Sequence, residues 1–290
     1  MAQLTSLSIN DTGFLKLASG NGSQRPVPAA GMVRYNSSRA QLEGYVGSQW
    51  IPLTYSIPNA ITSGLIMNLD AGLPSSYSGT GTAWNDISGN NRNVTLLNTV
   101  VYNTDNQGNL VFNGTNYGSV SGITSTSTLT VNLMVKVASD PGGFKGIIGA
   151  NDGTNNDYQI GFNIDLAAAS GTGIDLINIE GNGISYGNYL SAPIAFNQWF
   201  NLCAVISSTT ATLYINGVAQ ITSTRTSAAT MATGFLTIGA RPVTGTGQAA
   251  SYAFNGSIAS AQLYNRALTQ QEVKNNFLQY ADRFGVAFVA

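Results

Sequence analysis

The segment Tyr214-Ile215-Asn216-Gly217-Val218 constrains this chain more than any other. An alternating run that breaks at Asn-Gly folds back as a tight antiparallel hairpin, because both central residues of such a turn take positive φ and these two tolerate it. A second pair, Asn255-Gly256, opens the run Ser257-Ile258-Ala259-Ser260-Ala261-Gln262-Leu263-Tyr264, in which Ile258 and Leu263 are expected to face a core. Residues 129–137 alternate strictly and set Leu129, Val131, Leu133, Val135 and Val137 on one face of a strand. Gly146-Ile147-Ile148-Gly149 and Tyr158-Gln159-Ile160-Gly161-Phe162 read as further strands. One segment departs from the pattern: Thr269 with Glu272 forms a capping box, which predicts a single helix over 269–278.

Other stretches complete the pattern: Gly64-Leu65-Ile66-Met67-Asn68-Leu69-Asp70, Trp84-Asn85-Asp86-Ile87-Ser88-Gly89-Asn90, Leu110-Val111-Phe112-Asn113-Gly114, Trp199-Phe200-Asn201-Leu202-Cys203 and Leu236-Thr237-Ile238-Gly239. Together these motifs resemble the concanavalin A-like lectin/glucanase superfamily, specifically its laminin-G-like domains, from residue 64 to about 280. The fold expected is all-β: an antiparallel jelly-roll β-sandwich over 64–282, preceded by a small β-module over 1–56 and a linker over 57–63. An apolar tail over 283–290 follows the short C-terminal helix.

Composition narrows the function. With 290 residues the chain can bury one large sandwich core and carry a smaller companion. Charged residues make up 9% and the net charge is -1, so no basic stripe for nucleic acid is expected. There is no histidine, the side chain whose unperturbed pKa lies nearest neutrality. Serine–histidine triads, histidine-ligated metal hydrolases and zinc fingers are thereby excluded. Cys203, the single cysteine, cannot close an intramolecular disulfide and reads as a buried small hydrophobe among Leu202, Ala204 and Val205. No secretory signal is read at the start, and no apolar run approaches the roughly 20 residues that span a bilayer. Synthesis in a host cytoplasm without membrane insertion is expected.

The first 56 residues read differently from the rest. Ser6-Leu7-Ser8-Ile9-Asn10 and Gly13-Phe14-Leu15-Lys16-Leu17 alternate, the Gly-rich run 19–23 interrupts them, and Arg25-Pro26-Val27-Pro28 is extended because proline disfavours helix in the residue before it. Two strands, a turn and a third short strand follow. The pattern G-x-x-R-Y-N, then L-E-x-Y, then W-x-x-L, carried by Arg34, Tyr35, Glu43, Tyr45 and Trp50, resembles a small β-module of tailed-bacteriophage fibre, neck and other virion structural proteins. This second resemblance implies a virion location, docking on other virion proteins through residues 1–56, and assembly as a homotrimer. A segment this short buries too little surface to be stable alone, which fits a core completed by partners. The alternative is a β-rich extension in which Tyr35, Tyr45 and Trp50 form a mini-core.

Candidate sites follow from residue chemistry. Glycosidases of the resembled superfamily use closely spaced carboxylates on one strand face. Here Glu180 is the one glutamate outside the module and helix, Asp175 is its nearest acidic neighbour, and their odd separation sets them on opposite faces. No catalytic residue is assigned, and the chain is expected not to be an enzyme. No cofactor is required. The loop Asn151-Asp152-Gly153-Thr154-Asn155-Asn156-Asp157 offers oxygen ligands of the kind calcium takes, with Asp152, Asn155 and Asp157 as the set, against the alternative of a solvated polar loop. Asn85, Asp86 and Asn90 form a weaker set. Tyr186, Asn188 and Tyr189, with Trp84 and Tyr77, supply aromatic and amide groups for a glycan platform, or else pack at strand ends; Trp199 reads as core. The function expected is a bacteriophage virion structural protein with a lectin-like domain facing solvent for host-surface or glycan adhesion. A ligand-free capsid cement or spacer is the alternative, and a glucanase-like enzyme ranks below both.

Overall fold

The computed structural model describes residues 17–37, 41–46, 48–53, 60–139, 143–168, 175–181, 190–225, 228–242 and 252–286. The chain divides into two compact units, Met1–Ile57 and Pro58–Ala290.

In the first unit, β1 (Ser19–Gly20) pairs in parallel with β2 (Val33–Asn36). From β2 an antiparallel meander continues through β3 (Gln41–Val46) and β4 (Gln49–Pro52). Its polarity is inverted. Alternation along β2 puts Val33 and Tyr35 on one face and Arg34 and Asn36 on the other, and it is the polar face that is buried, with Glu43. Glu43 accepts from Arg25 Nε at 3.1 Å and Nη2 at 2.8 Å, and from Asn36 Nδ2 at 2.8 Å, while Arg34 Nε stands 3.6 Å away. The Arg25 hydrogen bonds, joined by Asn36 and by the charges of Arg25 and Arg34, outweigh burial and hold the Glu43 carboxyl at about 2. Trp50 packs on Tyr45 with ring centroids 5.5 Å apart. Tyr35 is not part of a mini-core; it is 38% exposed on the opposite face of β2.

The second unit begins with β5 (Leu65–Asp70), β6 (Ala83–Trp84), β7 (Val94–Leu97), β8 (Val101–Asn103), β9 (Asn109–Asn113), β10 (Tyr117–Ser121) and β11 (Leu129–Val137). Next come β12 (Lys145–Asn151), a one-turn helix α1 (Asp157–Ile160), β13 (Phe162–Ala168), β14 (Asp175–Gly181) and β15 (Leu190–Pro193). The remainder is β16 (Trp199–Ile206), β17 (Thr210–Ile215), β18 (Val218–Thr224), β19 (Phe235–Ile238), β20 (Asn255–Tyr264) and the helix α2 (Gln270–Phe284). One sheet runs β15-β14-β13-β12-β19-β10-β7-β6; the other runs β18-β17-β16-β11-β20-β9-β8, with β5 also on β20. This is the expected all-β sandwich with a C-terminal helix.

The five alternating positions of β11 all lie in the core between the sheets, where Phe200, Leu202 and Ala204 of β16 meet Ile148, Phe162, Ile164 and Leu236 of the other sheet. Ile258 and Leu263 both reach this core although an odd separation would split them between faces. The register with β11 shifts between Met134 and Val135, leaving Ala259 as the extra residue of a bulge, and Ala259 joins the outer cluster instead. The hairpin closes as read: Ile215 pairs with Val218, and Asn216 and Gly217 have φ of 51° and 75°. On the outer face of the β11 sheet, Asn201 Nδ2 donates to Asn132 Oδ1 and Asn132 Nδ2 to Gln262 Oε1, each at 2.9 Å. Three adjacent strands are thus locked in register, since a one-residue slip would drive these amides into the core.

Helix α2 covers part of that outer face. Thr269 caps it and Glu272 completes the capping box; the helix then runs past residue 278 to Phe284, where Gly285 ends it at φ 62°. Residues 283 and 284 therefore belong to the helix, and 287–290 of the expected tail lie outside the described residues. Trp199, expected in the core, sits instead against Phe284 at 4.6 Å, because β16 alternates and its even-numbered positions take the core. Arg283 clasps the helix end: Nη1 donates to Asp70 at 2.7 Å, Nε to Asn106 O at 2.6 Å and Nη2 to Gly108 O at 2.7 Å. Of the segment 158–162, expected to be strand, residues 158–160 belong to α1, and Phe162 begins the strand.

Candidate functional site

Along β13, Phe162, Ile164 and Leu166 point into the core, so Asn163 and Asp165 face outward. Both are nonetheless 0% exposed. The chain leaving β19 folds across them, which β12 permits by carrying glycine at two positions. A Cβ on Gly146 would collide with Ala240 C and Arg241 N, and one on Gly149 would stand 2.7 Å from Pro242 Cδ and 2.9 Å from Asn163 Oδ1.

Arg241 is the centre of what this close approach builds. Its Nη1 donates to Asp165 Oδ2 at 3.0 Å, and its Nε and Nη2 donate to the two oxygens of Asp157, each at 3.1 Å. The guanidinium is fixed from two sides, by the first residue of α1 and by β13. Two rings flank it: Phe144 and Tyr252 have centroids 5.7 Å and 5.8 Å from the Arg241 guanidinium carbon. Phe144 is 43% and Tyr252 39% exposed, so apolar ring surface reaches solvent beside an anchored cation and two carboxylates. Beneath them Asn163 has both Nδ2 and Oδ1 without a hydrogen-bond partner. Exposed rings can stack on the apolar face of a sugar, and Arg241, whose side chain is 11% exposed, is the polar group of this cluster nearest solvent.

The structure redistributes the residues singled out from sequence. Tyr77 and Trp84 are 3% and 0% exposed; Tyr77 donates to Gly81 O at 3.0 Å and stacks on Tyr102 at 5.4 Å, while Trp84 lies in the core. They form no platform, because β6 turns Trp84 inward between the sheets. Tyr186, Asn188 and Tyr189 lie outside the described residues. The carboxyls of Asp152 and Asp157 have separate partners. Asp152 Oδ1 accepts from the backbone N–H groups of Thr154 and Asn155 at 2.8 and 2.7 Å, and Oδ2 accepts from Asn155 Nδ2 at 2.8 Å. The Asn155 backbone bond, with that of Thr154, lowers the pKa of this carboxyl. Asp157 is committed to Arg241. Asp86 is likewise occupied, accepting from the backbone of Asn68, Ser88 and Arg92. Among the described residues no group of three acidic or cysteine side chains could hold a metal ion.

The ladder between β13 and β14 runs unshifted from Gly181 to Asp175, pairing Asn163 with Glu180 and Asp165 with Asn178. Asp175 and Glu180 stand five positions apart along this unshifted ladder. Cys203 is fully buried, and burial pushes its thiol pKa up, consistent with the hydrophobe expected. Arg241, Phe144 and Tyr252 were not signalled by any motif. The sequence clue was the pair of glycines inside a strand, since an isolated strand glycine marks a close approach of another backbone.

A two-sheet sandwich with this topology defines a lectin-type β-domain. A family profile described as the concanavalin A-like lectin/glucanases superfamily matches residues 112–274, more than half of the chain, and the chain belongs to that superfamily. No curated protein matches it in sequence. Among solved structures, it is similar to domain 4 of AbnA, a GH43 extracellular arabinanase from Geobacillus stearothermophilus, in complex with arabinotriose. That match has a TM-score of 0.54 and 19% identity, over 75% of this chain and 99% of that one. The binding domain of Paraclostridial Mosquitocidal Protein 1 matches at TM-score 0.54 and 17% identity, over 77% of this chain and 55% of that one. The binding domain of botulinum neurotoxin DC in complex with SialylT matches at 0.55 and 13%, over 76% and 52%. This chain thus spans about half the length of those two toxin domains.

Proposed function

We propose that this chain is a non-enzymatic adhesion protein of a bacteriophage particle, whose sandwich binds a cell-surface glycan at the Arg241 face. Its first unit docks on neighbouring virion proteins and assembles as a homotrimer. The single observation that carries the binding role is the pair of exposed rings, Phe144 and Tyr252, flanking a guanidinium that two carboxylates hold in place. The likeness to an arabinanase domain solved with arabinotriose and to a toxin binding domain solved with SialylT supports a sugar ligand. Asp157 and Asp165 share one arginine, an arrangement that orients rather than transfers protons, which supports binding without turnover. The virion role rests on the motif carried by Arg34, Tyr35, Glu43, Tyr45 and Trp50. Three weak sugar contacts on one trimer would act together through effective concentration.

A glycan array probed with the full chain and with Phe144→Ala and Tyr252→Ala tests the reading. Each ring removed should weaken the captured glycan by roughly two- to tenfold, as an aromatic contact of about 0.5–1.5 kcal/mol implies. Binding indifferent to both variants overturns the assigned face. Release of shortened sugar from a captured glycan overturns the non-enzymatic reading, and particle decoration with no glycan captured favours a cement.

A further inference from the structure

The sandwich face leaves one built feature unused: a cavity of about 430 Å³ within the first unit, lined by Ala18, Pro26, Met32, Val33, Arg34 and Trp50 among others. Ligand pockets commonly enclose roughly 300–1,000 Å³. The walls are largely apolar, and the charged group among them is Arg34, whose side chain is 4% exposed. Arg34 Nη2 donates to Asn21 O at 3.2 Å, but Nε, 3.6 Å from Glu43, and Nη1 have no hydrogen-bond acceptor. Glu43 is already taken by Arg25 and Asn36, so two guanidinium groups share one carboxylate. A buried guanidinium with idle donors is costly, and the planar fork of a carboxylate is its natural complement.

Ala18, whose O accepts from Tyr35 N at 2.9 Å, forms the rim of the cavity beside β2.

We propose that this cavity receives an acidic side chain of a partner protein, carried on a short apolar segment. The carboxylate would pair with Arg34, and its apolar neighbours would lie against Met32, Val33 and Trp50. This inference rests on the docking role proposed for the first unit and supplies its chemistry. It is tested on the full chain by following the Trp50 indole N–H resonance during titration with acetyl-Val-Glu-Val-amide, acetyl-Val-Gln-Val-amide and hexanoate. The glutamate peptide should shift Trp50 and bind roughly ten- to hundredfold tighter than the glutamine peptide, the range of a charge-assisted pair.

Arg34→Gln should erase that difference. Because its loss can also unfold the unit, Ala18→Trp, which fills the cavity without touching Glu43, should abolish binding in a folded unit. Equal affinities for the two peptides, an unmoved Trp50, or hexanoate binding as tightly as the glutamate peptide overturns the inference. Incorporation into particles separates the two ideas. A chain lacking residues 1–56 that still incorporates refutes the docking role. If that chain fails while Ala18→Trp incorporates normally, only the cavity's part is refuted.

Discussion

Replacing Asn163 with Leu is expected to make the sandwich more stable and its ligand face worse. Asn163 is wholly buried on the outer side of β13, and neither its amide nitrogen nor its oxygen finds a partner. Leaving such a group unpaired costs about 1–3 kcal/mol by mutational comparison. Leucine branches at the same atom, and glycine at 149 keeps the space beside the amide oxygen free of a facing side chain. The desolvation cost is then removed while the shape is kept. A domain of this size shifts its melting point by roughly 2–4 °C per kcal/mol, so the sandwich transition should rise by roughly 2–12 °C in differential scanning calorimetry. Glycan capture should fall together with that gain. A lowered or unmoved transition would refute the reasoning, because it would mean that the amide is satisfied in the folded protein. A raised transition with undiminished capture would remove Asn163 from the binding face.

Three further outcomes are expected. Glu43 has its folded pKa depressed from 4.5 to about 2, so its contribution to the first unit is complete above the higher value and is lost as pH falls through the lower; Trp50 emission should report an acid transition in that window, and Glu43→Gln should abolish its pH dependence. Arg283→Met leaves Asp70 buried without its cation and should cost about 3–5 kcal/mol in urea unfolding, whereas a loss below about 1 kcal/mol would show that the clasp is energetically idle. Gly146→Ala forces a Cβ into the Ala240–Arg241 backbone and should cost about 1–3 kcal/mol by overpacking, with glycan capture lost in the same variant; retained capture would show that Arg241 need not lie on β12.

The sandwich was legible because its signals are local. Asn216-Gly217 specifies a turn within two residues, and β11 shows its face in nine. Where a face depended on a neighbour, the pattern of one strand did not decide it. Ile258 and Leu263 share a core only through the bulge at Ala259, which nothing in β20 alone announces. Trp199 lies under Phe284, a contact between residues 85 positions apart in the chain. The binding face was hidden for the same reason, since Arg241 meets Asp157 and Asp165 from another part of the chain. Tyr77 and Trp84 misled because an aromatic beside polar loop residues looks alike in sequence whether it faces the core or the solvent. In the first unit, Arg34, Glu43, Tyr45 and Trp50 do assemble, but around a buried charge that alternation alone would have assigned to the surface.

Leu65, where the chain enters the sandwich, is the register partner of Tyr264, where its last strand ends, and Arg283 returns the following helix to Asp70 of that same first strand. Entrance and exit are therefore tied to the two ends of a single strand, roughly 17 Å apart at about 3.3 Å per residue. A host loop that received residues 60–286 as a cassette would have to span that gap, so one junction needs a linker of several residues.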